Sequence, residues 1–152
     1  MTSTRPAADA VDILPANAQV DALVQLSFRV HQILGKIGAE QDLSVVQIRM
    51  LGVLRDREPS MLALAGHLGL DKSSTTGLVS RAEKRGLVQR ARDPHDRRSV
   101  TVSLTAHGRA LVNACARDVE REINGLVAPL PDHARRQLVR HISEILAPPG
   151  DG

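Results

Sequence analysis

Residues 71–85, DKSSTTGLVSRAEKR, carry the side chains best suited to chemistry. Asp71 is an N-cap type that follows the turn Gly69–Leu70, and it opens a helix whose first turns offer Lys72, Ser73, Ser74, Thr76 and Gly77. Small or polar groups stand where a core helix would be apolar, and Thr75, Val79 and Ala82 form the only face fit for burial. Such a helix presents short hydroxyls, a cation and the positive end of its dipole at one exposed end. That chemistry suits phosphates and base edges in a DNA major groove. A solvated surface helix is the alternative for this stretch taken alone. Ser80, Arg81 and Arg85 extend the polar face, and the two arginines lie one turn apart, the spacing for phosphate contacts.

A second group of charges follows at Asp93–Pro94–His95–Asp96–Arg97–Arg98. From Lys72 to Arg98 eight bases stand against three acids, so the rest of a chain whose net charge is +3 is slightly acidic. A local basic segment on a near-neutral body is the footprint of a phosphate-binding surface. Phe28 is the only aromatic residue, which excludes the stacking on which single-strand and RNA modules depend. Duplex DNA remains.

These residues need elements to position them. The apolar spacing predicts a long helix over Gln19–Ala39 and a second, opened by the capping box Ser44–Gln47, running to Arg57 before Glu58–Pro59. Ser60 caps a short helix with Met61, Leu64, Ala65 and Leu68 inward, and the polar helix follows, ending at Arg85–Gly86. Leu87–Arg92 and Val100–Leu104 read as strands, the second alternating cleanly, with the charged turn between them. Thr105 caps a long helix to about Ala128, and Asp132 caps a last one with Ala134, Leu138, Ile142, Ile145 and Leu146 inward. Residues 1–18 read as a flexible N-terminus, and the tail from Pro148 as loose. The fold class is mainly α with a small β-hairpin wing, a winged helix-turn-helix over 41–104 flanked by long helices at 19–40 and 105–147. A helix of about 24 residues spans roughly 36 Å, more than so small a lobe covers. Its excess apolar stripe calls for a second copy of the chain.

Cys115 is the only cysteine, so no intrachain disulfide forms. Met1–Ala18 lacks an apolar signal region and no stretch approaches membrane-spanning length, so the chain reads as cytoplasmic, with no membrane partner. The six histidines do not cluster with ligand spacing, and no metal or other cofactor is implied. No Gly-rich phosphate loop, Ser-His-Asp set or carboxylate pair stands outside the winged unit, which argues against an enzyme.

The run Leu64–Ala65, Leu68, Arg85–Gly86–Leu87–Val88, Arg90, Asp93–Pro94, Asp96–Arg97–Arg98 and Val102–Ser103–Leu104–Thr105 resembles the MarR family of bacterial transcriptional regulators. The likeness extends over about residues 19–146. It implies a homodimeric repressor on a palindromic DNA operator, with recognition helices in successive major grooves and wing tips in the flanking minor grooves. Lys72, Ser73, Ser74, Thr76 and Gly77 fall on the exposed start of the recognition helix, and Arg97 at the wing tip, where a narrow minor groove attracts a guanidinium. Asp96 and Arg98 match the pair that braces the wing. Gly77 stands where relatives often carry a larger side chain, and Ala82 where a Leu is usual.

The resemblance also implies a small aromatic or phenolic effector that releases the operator. On this reading Phe28, His31, Arg49 and Met50 line its pocket; for His31 a satisfied core histidine is the alternative. Two other functions remain open from sequence: a winged helix used only for protein contacts or dimerisation, and a thiol-based redox regulator acting through Cys115. Cys115 lies on the apolar stripe of its helix, where a small buried residue is expected.

Overall fold

The structure, a computed structural model, describes residues 17–148. The expectations of a flexible N-terminus over residues 1–18 and of a loose tail from Pro148 lie, for residues 1–16 and 149–152, outside the described residues. The elements run α1 (Ala18–Glu40), α2 (Val45–Asp56), α3 (Met61–Leu68), α4 (Lys72–Lys84), β1 (Val88–Arg92), β2 (Val100–Leu104), α5 (Ala106–Val127) and α6 (Asp132–Leu146).

Local chemistry sets most of the boundaries. Ser44 and Gln47 form a reciprocal box, with Gln47 N donating to Ser44 Oγ at 3.2 Å and Ser44 N to Gln47 Oε1 at 2.8 Å. Ser60 accepts from Ala63 N, Asp71 from Ser74 N and Thr105 from Gly108 N. Gly69 and Gly86 take φ of 64° and 71°, the left-handed turn that closes α3 and α4 and brings Leu70 N to Ala65 O and Leu87 N to Ala82 O. The last helix departs from expectation. Pro131, with φ −66° and ψ 158°, occupies the cap position, and Asp132 sits inside the first turn, paired with Arg135.

β1 and β2 pair antiparallel, with Val88 opposite Leu104 and Arg90 opposite Val102. Val88, Val102 and Leu104 turn inward. The free edge of β2 is covered by the α2–α3 connection, since Val102 N donates to Pro59 O at 2.9 Å and Ser60 bridges to Thr101. The hairpin is thereby fixed to the helical body along the middle of β2.

One aliphatic core joins α2, α3, α4, the hairpin and the first half of α5, around Met50, Leu51, Leu54, Leu64, Val79, Leu87 and Val102. Leu78 joins Thr75, Val79 and Ala82 on the buried face of α4, which completes a three/four stripe wider than expected. Only the last turns of α1 enter this core, through Ile33 and Ile37. Val20, Leu23, Val24 and Phe28 face outward. In α6, Ala134, Leu138 and Ile142 are half-buried, but Ile145 and Leu146 are 67% and 76% exposed, not inward, because among the described residues no element packs closely on that end of the helix.

Candidate nucleic-acid interface

The exposed end of α4 is built by its cap. Asp71 accepts from Ser74 N at 2.7 Å, and this backbone bond, with a further one to the Ser74 hydroxyl, holds its carboxyl below the ordinary carboxylate value. Thr75 and Thr76 turn their hydroxyl protons back onto the helix, to Asp71 O and Lys72 O, both at 2.8 Å. Thr76 thus offers only acceptor capacity outward. Lys72 and Ser73 are exposed, and their side chains make no hydrogen bond among the described residues.

Gly77 is half-buried, and a Cβ built there would meet only Arg81 Nη1, at 3.4 Å. The missing side chain leaves a shelf along which the Arg81 guanidinium lies, so a cation reaches the place that a larger side chain would fill. Ser80 accepts from Arg90 Nη2, and Arg90 Nε lies 3.3 Å from Glu83 Oε2. Ser80 is therefore part of a polar strut between α4 and β1, and its hydroxyl is only half free.

Arg85 behaves differently from the phosphate contact expected of it. Its Nη1 donates to Asp42 O at 2.8 Å and its Nη2 to Gln41 O at 2.9 Å. As the C-cap of α4 it points back toward the α1–α2 turn, away from the reading end, and its fork is occupied. No local sequence signal marks this bond, since donor and acceptors are more than forty residues apart.

The wing tip is two side-chain-braced turns. His95 N donates to Asp93 Oδ1 at 2.8 Å, and Arg98 N to Asp96 Oδ1 at 3.0 Å, while Asp93 N and Ser99 O close the loop at 2.9 Å. Asp96 therefore braces the wing through the backbone of Arg98, not through its guanidinium. Both Arg97 and Arg98 are exposed and their guanidinium groups have no ion-pair partner among the described residues. A groove of ≈ 600 Å³ runs between wing and helices, lined by Met61, Leu62, Leu70, Lys72, Asp96 and Arg98 among others. Lys72 of α4 and Arg98 of the wing thus line one groove, in which Leu62 lies 82% exposed.

The four residues expected to line an effector pocket are not brought together in the chain. Met50 is fully buried in the core, Phe28 is 59% exposed and His31 is exposed on α1. His31 is therefore not a core histidine either. The reason is helical geometry: Met50 turns about 100° away from Arg49, and Phe28 and His31 precede the point where α1 enters the body. A larger cavity of ≈ 840 Å³ does lie between α1, α2 and α5, lined by Leu34, Ile48, Arg49, Val112, Cys115 and Val119 among others. Arg49 is the one anticipated residue on it. Cys115 is buried at its wall, and burial, followed by the neighbouring Asp118 carboxylate, pushes its thiol up from the ordinary value.

Among the described residues no three His, Cys, Asp or Glu side chains converge as metal ligands, and no helix is long and apolar enough to cross a membrane.

A family model described as MarR family matches residues 41–99. The HTH-type transcriptional repressor NicR of Pseudomonas putida is 35% identical over 123 residues, covering 76% of this chain and 78% of its own. Among solved structures, CouR from Rhodococcus jostii RHA1 bound to p-coumaroyl-CoA superposes with a TM-score of 0.76 at 26% identity, over 86% of this chain and 93% of that one. The repressor CouR bound to a 23-mer DNA duplex gives 0.73 at 27% identity, over 83% and 90%.

Proposed function

This chain belongs to the MarR family, and from that premise we propose that it is a homodimeric repressor that leaves a palindromic operator when a small effector binds. It is a DNA-binding regulator of transcription with a winged helix-turn-helix fold. The observation that supports the reading best is the groove shared by Lys72 of α4 and Arg98 of the wing, flanked in sequence by an uncommitted Ser73 and by Arg97, with no ion-pair partner for either wing guanidinium among the described residues.

In this reading α4 enters the major groove with Lys72, Ser73, Ser74, Thr76 and Gly77 foremost, and Arg97 enters the adjoining minor groove. Arg81 and Arg98 contact phosphates, and Ser80 makes a lesser contact. Arg85 is withdrawn from the set. Residues 41–104 form the DNA-binding lobe, and 19–40 with 105–147 the dimerisation helices, whose outward faces (Val20, Leu23, Val24 and Phe28 on α1, Ile145 and Leu146 on α6) meet the same faces of a second copy. The protein acts in the cytoplasm and catalyses no reaction.

The effector site is the cavity between α1, α2 and α5. Its apolar lining, with Arg49, Arg55 and Arg117 outnumbering Asp56 and Glu120, suits a small aromatic or phenolic effector. Because α1 and α5 lead to the dimer and α2 to the reading head, a ligand that fits one arrangement of these helices better shifts the spacing of the two lobes. A redox switch at Cys115 has little support, since a buried thiol with a raised pKa is the unreactive kind.

Selection of bound sequences from random duplex DNA tests the proposal, with the mass of the species in solution measured alongside. A dimer that enriches an inverted repeat is the expected result. A monomer, or a pool with no enriched sequence, refutes it.

A further inference from the structure

The recognition helix is fastened to the dimerisation helix at one point. Arg85 ends α4, and its planar fork spans the carbonyls of Gln41 and Asp42 at 2.9 and 2.8 Å. The turn that carries those acceptors has little freedom. Gln41 N and Leu43 N both donate to Gly38 O, at 2.9 and 2.8 Å, and Asp42 is held at a φ of 53°, the one non-glycine residue in that region among the described residues. Gly38 is buried so tightly that a Cβ there would lie 2.4 Å from Leu43 O and 2.8 Å from Ile48 Cδ1. One rigid turn thus terminates α1, begins the approach to α2 and grips the end of α4.

Elsewhere α4 is held within its own lobe: Thr75, Leu78, Val79 and Ala82 pack in the core, and Ser80 and Glu83 bond Arg90 of β1. Its cap is local to Asp71, and Arg49 Nη2 comes within 3.5 Å of Leu68 O in the α3–α4 turn, at the limit of a hydrogen bond. Helix α4 and the lobe packed on it are therefore tied by hydrogen bonds to the end of α1 at the helix's C-terminal end. The 13 residues of α4 span about 20 Å, so a tilt of the lobe by roughly 10° about that joint moves the reading end by about 3.4 Å, the rise of one base pair.

We propose that Arg85 is a specificity-determining residue that never touches DNA: by clamping α4 to the end of α1 it sets the half-site spacing that the dimer accepts. The proposal rests on the DNA-binding dimer argued above. Its chemistry is geometric. A guanidinium holds two divergent carbonyls in one plane, an ammonium holds one at a time, and a methyl holds neither.

The test uses the full chain and a duplex of inverted half-sites selected by the wild-type protein, in three versions: native spacing, one base pair shorter and one longer. Affinities are measured over a range of salt for wild type, Arg85→Lys and Arg85→Ala. For Arg85→Ala, which loses both hydrogen bonds to its charged group, the preference for native over shifted spacing falls by roughly tenfold or more, while the slope of log affinity against log salt is unchanged. Arg85→Lys keeps the charge and falls between. An equal loss on all three duplexes makes Arg85 mere support for the fold and overturns the proposal. A salt slope shallower by about one makes it a phosphate contact and overturns it too. If Arg85→Ala does not fold, Arg85→Lys decides alone, by whether its spacing preference differs from that of wild type. Failure of the wild-type protein to select any duplex would instead sink the DNA-binding reading, and this proposal with it.

Discussion

Gly108→Ala tests how the wing is held to the body. Gly108 lies in the first turn of α5, where its N–H donates to the capping Thr105 hydroxyl at 3.0 Å. A Cβ there would stand 1.9 Å from Leu87 O, 2.8 Å from Leu87 C and 3.1 Å from Leu87 Cα. These are backbone atoms, and Leu87 O is already pinned by Thr105 N at 3.1 Å. The carbonyl cannot turn aside, so α5 must back away by about 1.5 Å to restore ordinary contact. Overpacking of this kind costs about 3 kcal/mol at the upper end of its usual range, and the better helix propensity of Ala returns about 1 kcal/mol. The net loss is about 2 kcal/mol, which for a chain of this length lowers the thermal midpoint by roughly 4–8 °C. Midpoints are compared at one protein concentration, because association contributes to them. Gly66→Ala is the control: it lies inside α3 with nothing within 4 Å of a new Cβ, and it raises the midpoint by the equivalent of about 1 kcal/mol. DNA affinity separates the two further, since Leu87 joins α4 to β1 and a displaced α5 disturbs both. A Gly108→Ala protein as stable as wild type would refute the close approach and the reasoning built on it.

Other expectations follow from the same geometry. Arg97→Ala weakens binding to matched and mismatched duplexes alike and makes the salt slope shallower by about one; an unchanged slope removes Arg97 from the contact set. Native Cys115 resists alkylation at about pH 8.5, where a free thiol is half ionised, and reacts quickly once the chain is unfolded. The sign is fixed by its raised pKa: the buried thiol favours the fold below the ordinary value, and that contribution fades as pH rises through the folded one, so equal rates in both states would contradict the burial. The Asp71 carboxyl is shifted the other way, and its contribution is full above the ordinary carboxylate value and lost as pH falls through the lower folded one. Asp71→Asn still caps α4 but does not titrate there, so its thermal midpoint falls less steeply than that of wild type between about pH 5 and pH 2. Superimposable acid limbs would remove the cap from the pH dependence.

The parts of this molecule that could be read from its sequence are those whose partners lie within one turn. Ser44, Ser60, Asp71 and Thr105 each bond an amide three residues on, so type and spacing sufficed. The alternation of Val100, Val102 and Leu104 likewise announces its own strand. Asp132 misled because Pro131, extended and fixed in φ, took the cap one residue earlier. Long-range partners left no such trace. Arg85 stands one turn from Arg81 on the same polar face, yet the distant carbonyls of Gln41 and Asp42 claim it. Arg49 and Met50 are adjacent in sequence, and the helix sends one to a cavity and the other to the core. The inward side of α6 was drawn from its apolar spacing, but that spacing names a face without saying which chain covers it.

Those uncovered faces tie folding to dosage. A lone chain leaves Phe28 on one helix and Ile145 and Leu146 on another in contact with water, so in the proposed dimer its free energy of unfolding would contain the concentration of its twin. Dilution then weakens the grip on DNA and the chain's own resistance to unfolding in the same stroke. A cell that makes too few copies would hold a regulator that is scarce, short-lived and open to proteolysis before any effector arrives.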